Sequence, residues 1–320
     1  MRFSRSLVIG VTALLASIPQ FVLAATYPIN ANDTVLGEVQ YVNAKHEDTF
    51  LDIGRAYSVG YEEMVAANPG VDPWLPGAGT RILIPSRYIL PDAPREGVVV
   101  SLAEHRLYYF PKAKEGEQPV VVTYPISVGK MDWKTPLGLT RIVDKRTRPI
   151  WYPPESVRKE HAADGRPLPK AVPPGPDNPL GEYAMRLAIP GGAYLIHGTN
   201  RPAGVGMQVT HGCIRMYPED IEQFFKMVAV NTPVRIIHQP YKMGWRGEQL
   251  FMEVHSPLEG QEDRDLYSLT NITRLLVTAT QDRQVAIDWA KAEAAFRRPN
   301  GIPEPVVLTA TTTQAMDVAR

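Results

Sequence analysis

Residues Tyr194 to Met216 read YLIHGTNRPAGVGMQVTHGCIRM. The stretch opens as a strand does, and strand side chains alternate between two faces. Leu195 and His197 therefore share one face, and Tyr194 and Ile196 the other. Gly198 lets the chain turn directly after the imidazole. Further on stands Cys213, the only cysteine in 320 residues, with His211 and Gly212 just before it. Gly212 permits backbone angles that other residues avoid and a close approach to the amides of Gly212 and Cys213. If the chain is extended beyond it, Cys213 and Arg215 face one way while Ile214 and Met216 anchor the other face.

This set of side chains suits acyl transfer. A thiol of ordinary pKa ~8.5 is mostly protonated at neutral pH, and a neighbouring imidazole supplies thiolate. Attack on a carbonyl creates an oxyanion that amides beside a glycine can stabilise. An arginine beside the nucleophile can pair with a substrate carboxylate. Three plainer readings compete. Free cysteine is often a core residue, either histidine can be a satisfied structural one, and two imidazoles with a thiolate can also bind zinc or copper.

The N-terminus bears on the choice. Arg2 and Arg5 precede an apolar run from Leu7 to Ile18, and Val22-Leu23-Ala24 offers small residues for cleavage. Residues 1–24 are thus expected to be a secretory signal peptide. The run, broken by Ser17 and Pro19, falls short of the roughly 20 apolar residues a membrane span needs, so no span is expected in the mature form. Without Arg2 and Arg5 the chain has 32 basic against 34 acidic residues, which gives no charge case for nucleic acid. An odd cysteine in an exported chain is a free thiol or an intermolecular link.

Working outward, residues 97–238 carry dense β signals: VVVSL, HRLYYF, VVVTYPISVG, PLGLTRIVDKR, AYLIHG and VRIIHQ. One helix is expected from Pro218, with Glu219 and Asp220 in its first turn and Ile221, Phe224, Phe225 and Val228 on one face. The segment from Arg166 to Gly181 is rich in proline and reads as a stiff surface loop. Before this unit, residues 40–86 predict β-α-α-β, with Asp48 capping the first helix and Pro69-Gly70 ending the second. After it, residues 239–304 hold a strand, LFMEVH, and a helix from Gln284 to Arg297. Residues 305–320 read as a loose tail.

HGTN, the glycine-containing loop after it and THGCIRM resemble the signature of the L,D-transpeptidase (YkuD-type) catalytic domain. LAEHRLYYFP, KTPLG and GPDNPLGEYAM extend the likeness. The run DTFLDIGRAYSVGYEEMVAANPGVDPWLPGAGTRILIP resembles a LysM module, and the whole chain is similar to the ErfK/YbiS/YcfS/YnhG group of periplasmic enzymes. The resemblance implies a mainly β fold, with a β-sandwich catalytic domain between a small βααβ LysM-like domain and a small α+β C-terminal region. It implies Cys213 as nucleophile, His197 as base and later proton donor, and the Gly198 carbonyl orienting the imidazole. His211, Gly212 and Cys213 would build the oxyanion side, Arg215 would hold a substrate carboxylate, and Asn200 and Thr210 would shape the substrate-binding loops. The implied partners are peptidoglycan stem peptides and glycan, with an outer-membrane lipoprotein as one possible acceptor, and the implied cofactor set is none. A carboxypeptidase running through the same thioester, and a non-catalytic peptidoglycan-binding protein, are the alternatives.

Overall fold

A computed structural model describes residues 25–30, 33–130, 134–191, 194–260 and 263–308. The expected leader, 1–24, and residues 309–320 lie outside them. The first elements are β1 (Ala25–Pro28), β2 (Val35–Gly37), β3 (Gln40–Asn43), α1 (Phe50–Ala56), α2 (Tyr61–Ala67), β4 (Arg81–Ile84) and β5 (Arg87–Ile89). Then come β6 (Gly97–Ser101), β7 (Arg106–Phe110), β8 (Val120–Pro125), β9 (Val128–Gly129), β10 (Gly138–Thr147), α3 (Glu155–Ala163), β11 (Tyr183–Leu187) and β12 (Leu195–His197). After a short 3₁₀ turn follow β13 (Gln208–Thr210), β14 (Ile214–Arg215), α4 (Pro218–Met227) and β15 (Pro233–Ile237). The chain closes with β16 (Tyr241–Arg246), β17 (Gln249–Val254), α5 (Leu269–Thr280), α6 (Trp289–Arg297) and β18 (Glu304–Pro305).

Nine strands join in the order β1-β8-β7-β6-β15-β10-β11-β12-β14. The fold is mainly β, and the layers expected of a sandwich are here one continuous sheet that curls over α4. Side chains from both ends of the sheet, Leu107 and Tyr124 with Ile196 and Ile214, share a core with Ile221 and Phe224 of that helix. The Tyr109 and Tyr124 rings meet Phe224 edge-on, each 5.6 Å away. Strands β6 to β8 are buried on both faces, which is why they read as unbroken apolar runs. Leu36 and Leu90 cover their second face. Strand β1, which no local pattern announced, completes this edge by pairing antiparallel with β8.

The unit before the sheet pairs β3 with β4 antiparallel and buries Phe50, Ile53, Val59, Met64, Ile82 and Ile84 between them and the helices. Its first helix is capped by Thr49, not Asp48. Thr49 and Asp52 satisfy each other's backbone N–H groups, while the Asp48 carboxylate accepts from Lys45 N at 2.7 Å. Fully buried Arg106 of β7 ties this unit to the sheet, since its guanidinium meets both Glu63 carboxylate oxygens at 2.7 and 2.8 Å. Arg55 pairs with Glu219 of α4 in the same two-pronged way, at 2.7 and 2.8 Å. Between these pairs Gly60 lies against Gly206, where a Cβ on Gly206 would come 2.3 Å from the Gly60 Cα.

The last unit packs α5 and α6 on β16-β17-β18. The helix expected from Gln284 starts only at Trp289, because Asp288 caps it and Ile287 bridges to Val307. Residues 305–308, expected in a loose tail, are instead tied in. Val306 and Val307 are buried, and Leu308 N donates to Ala286 O.

Candidate active site

Strands β12 and β14 run parallel, with Ile196 opposite Ile214 and His197 opposite Arg215. Ile196 and Ile214 both enter the core, so alternation puts Leu195, His197, Cys213 and Arg215 together on the other face. The Leu195 backbone N–H and the Arg215 charge both act on the Cys213 thiol, and Arg215 acts electrostatically on His197 as well. His197 Nδ1 lies 2.6 Å from Gly198 O. A carbonyl can only accept, so Nδ1 carries the proton and Nε2 keeps a lone pair. That tautomer is the one a base needs.

The resting electrostatics favour a neutral pair. Burial, with the nearby Arg215 charge, lowers the His197 pKa to about 3 against the smaller pull of the Gly198 carbonyl. Cys213 is half-buried, and packing around Sγ pushes its thiol up more than the Leu195 N–H and Arg215 pull it down. At neutral pH the site therefore holds a thiol and an imidazole, not a thiolate and an imidazolium. Arg215 is the fixed charge. Burial lowers its pKa, the groups acting on it are Cys213 and Arg201 with no carboxylate among them, and its Nε is buried without a hydrogen-bond partner. Such a guanidinium is ready for an incoming carboxylate.

Residues 95–236 match the family model of the YkuD L,D-transpeptidase catalytic domain. "Probable L,D-transpeptidase YcfS" of Escherichia coli K12 is 42% identical over 82% of this chain and 83% of its own length. The chain belongs to the L,D-transpeptidase family. Two further relatives agree. "Probable L,D-transpeptidase YbiS" of the same strain is 37% identical over 88% of this chain and 91% of its own. "Probable L,D-transpeptidase ErfK/SrfK" of Salmonella typhimurium LT2 is 34% identical over 89% and 92%.

The remaining site residues of this L,D-transpeptidase hold backbone in place. Gly212 has φ 90°, a left-handed conformation natural to glycine, and its carbonyl accepts from Thr135 Oγ1 at 3.1 Å. Buried Thr210 donates its hydroxyl to Cys213 O at 2.5 Å. Gly198 N donates to Tyr183 O at 3.0 Å. A side chain at Gly198 would meet Ile221 at 3.0 Å. Exposed Asn200 donates to Pro176 O at 2.9 Å and ties the proline-rich loop to the site. That loop is pinned from inside by Asn178, whose amide donates to the carbonyls of Pro149, Val172 and Pro173.

The His211 ring reaches α3. Its Nε2 lies 2.8 Å from Glu160 of α3, and Lys130 takes the other Glu160 oxygen, also at 2.8 Å. These two hydrogen bonds, Lys130's the larger, hold the Glu160 carboxyl at about 2. Thr135 stands in KTPLG, so the signature contained it without giving its role. Glu160 had no signal at all, because α3 was not foreseen. Among the described residues the one group spaced to hold an ion is Glu104, Glu253 and His255. There the Lys242 ammonium already stands 2.8 Å from Glu104 and 2.9 Å from Glu253.

Proposed function

We propose that the chain is a periplasmic, cysteine-dependent transpeptidase acting on peptidoglycan. The observation that carries the reading is the shared face of His197, Cys213 and Arg215, with the imidazole fixed in the tautomer of a base. The donor is a tetrapeptide stem whose meso-diaminopimelate carboxylate pairs with Arg215. That pairing offsets the guanidinium charge which otherwise disfavours imidazolium, so proton transfer becomes easier once substrate is bound. Nε2 of His197 then takes the thiol proton as Sγ attacks the diaminopimelyl carbonyl carbon. The oxyanion forms beside the Gly212 turn. Collapse breaks the bond to the terminal D-alanine, whose amine leaves with the proton from His197. An acceptor amine attacks the resulting thioester, gives its proton through His197 to sulfur and leaves a new amide. Diaminopimelate of a neighbouring stem yields a 3→3 cross-link, and a lipoprotein lysine yields a tether to the envelope.

The test uses the full mature chain with a disaccharide-tetrapeptide. Release of D-alanine and an imipenem adduct mapped by mass spectrometry to Cys213 are expected. A folded protein that gives neither would sink the reading.

The βααβ unit is read as the glycan-binding part. Its support is the exposed Trp74, whose ring lies 5.8 Å from that of half-buried Tyr61, with Leu75 next to it largely in solvent. Trp74→Ala is expected to reduce co-sedimentation with insoluble peptidoglycan several-fold while leaving turnover of the soluble fragment unchanged. Unchanged sedimentation would remove sugar binding from this unit.

A further inference from the structure

The strand that leads into the nucleophile has little holding it within its own sheet. Strand β13 spans three residues and, among the described residues, pairs only with two-residue β9, in a register that slips between Gln208 and Thr210. A two-stranded pair of this size is marginal by itself. Yet Thr210, two residues beyond Gln208, fixes the Cys213 carbonyl. Within the catalytic unit Lys130 N donates to Thr210 O at 2.9 Å, and the strand's further contacts come from outside that unit.

Gln208 is where those outside contacts meet. Its backbone N donates to Glu62 Oε1 of α2 at 3.3 Å. Its side chain makes a reciprocal pair with the backbone of Glu259, which precedes the C-terminal helices. Nε2 donates to Glu259 O at 3.1 Å, and Glu259 N donates to Oε1 at 2.8 Å. Both struts are themselves anchored. His105 Nδ1 lies 3.2 Å from Glu62 Oε2. Burial lowers the pKa of that imidazole to about 3 and keeps it neutral. His105 is buried at φ 51°, a conformation that persists only where its surroundings impose it. On the other side Leu258 is buried in the catalytic core, and Gly260 O accepts from Lys134, next to the Thr135 that holds Gly212.

We propose that Gln208 is a positioning residue for Cys213, through which the N-terminal and C-terminal units hold the nucleophile's turn in its working geometry. This rests on the reading of Cys213 as the nucleophile. Misplacing a reacting group by about an ångström is enough to cost on the order of 10²-fold in rate. Loss of the struts should therefore appear in kcat, while Arg215, held by its own strand, keeps KM.

The test compares Gln208→Ala, Glu62→Ala and Glu62→Gln in the full chain, following D-alanine release, the thermal midpoint and the rate of Cys213 alkylation by iodoacetamide. Gln208→Ala is expected to lower kcat about tenfold or more with KM nearly unchanged and the midpoint unmoved. Glu62→Ala should lower kcat several-fold. Glu62→Gln, whose Oε1 still accepts from Gln208 N, should behave as wild type. Wild-type kcat in both alanine variants, or a Glu62→Gln loss as large as that of Glu62→Ala, overturns the proposal. If the wild type itself releases no D-alanine, the transpeptidase reading is what has failed. The alkylation rate then still decides the strut, since a Gln208→Ala rate equal to wild type overturns it.

Discussion

Replacing His197 by alanine is expected to lower kcat for D-alanine release by roughly 10²- to 10⁴-fold, the range a positioned general base contributes. The reason lies in the resting charge state. Burial lifts the Cys213 thiol above its ordinary range and drops the His197 imidazole to about 3, so almost no thiolate exists until the proton moves during attack. Without the imidazole, attack depends on the small ionised fraction. The residual rate of His197→Ala should then rise about tenfold per pH unit until the raised thiol pKa is reached. The free wild-type enzyme supplies the matching observation. Its alkylation by iodoacetamide should climb steadily from pH 5 to alkaline pH. A flat rate across pH 5 to 8 would mean a preformed thiolate–imidazolium pair and contradict the neutral site. Cys213→Ala should lose release altogether and keep its fold.

Lys242→Met is expected to destabilise the protein by about 3–5 kcal/mol, the usual result of removing one partner from a buried ion pair. Lys242, Glu104 and Glu253 are each at most 4% exposed, and the ammonium also donates to Ile89 O. Burial opposes ionisation of Glu253, yet Lys242 and His255 outweigh it and hold that carboxyl below its ordinary value. Take the ammonium away and two carboxylates face each other with only His255, at 2.6 Å from Glu253, beside them. Glu253, which loses its main stabilising charge, then has a folded pKa above its unfolded one. Stability should be retained below about pH 4.3, the unperturbed Glu value, and lost as pH rises through the raised value. Urea unfolding at pH 5 and pH 8 would show the larger deficit at pH 8. Equal deficits at both would mean the lysine contributes packing and not charge. Adding Glu104→Gln to Lys242→Met should recover part of the loss.

How much of this could be read in the chain depends on how local each cause is. The face of His197 and the face shared by Cys213 and Arg215 follow from alternation over a few residues and from one glycine, so the sequence displays them. Helix α4 was equally legible, because Pro218, two acids and an apolar stripe all lie within its own ten residues. The rest is decided at a distance. Strand β1 exists because β8 offers it an edge, and the helix expected from Gln284 is shortened because Ile287 finds Val307. Asp48 and Thr49 are both good caps, and the choice fell to Thr49 through Asp52, three residues on. Glu160, Gln208 and Glu62 gain their roles from partners that lie between 30 and 146 residues away. No window along the chain contains both members of those pairs.

The bare contact of Gly60 with Gly206 leaves the βααβ unit, proposed above to bind glycan, no slack against the sheet. Binding modules on flexible tethers trade a defined offset for reach. Here the trade runs the other way. A glycan strand gripped by this unit would sit at one set offset from the sulfur, and the enzyme could sample a second strand only by letting go of the first.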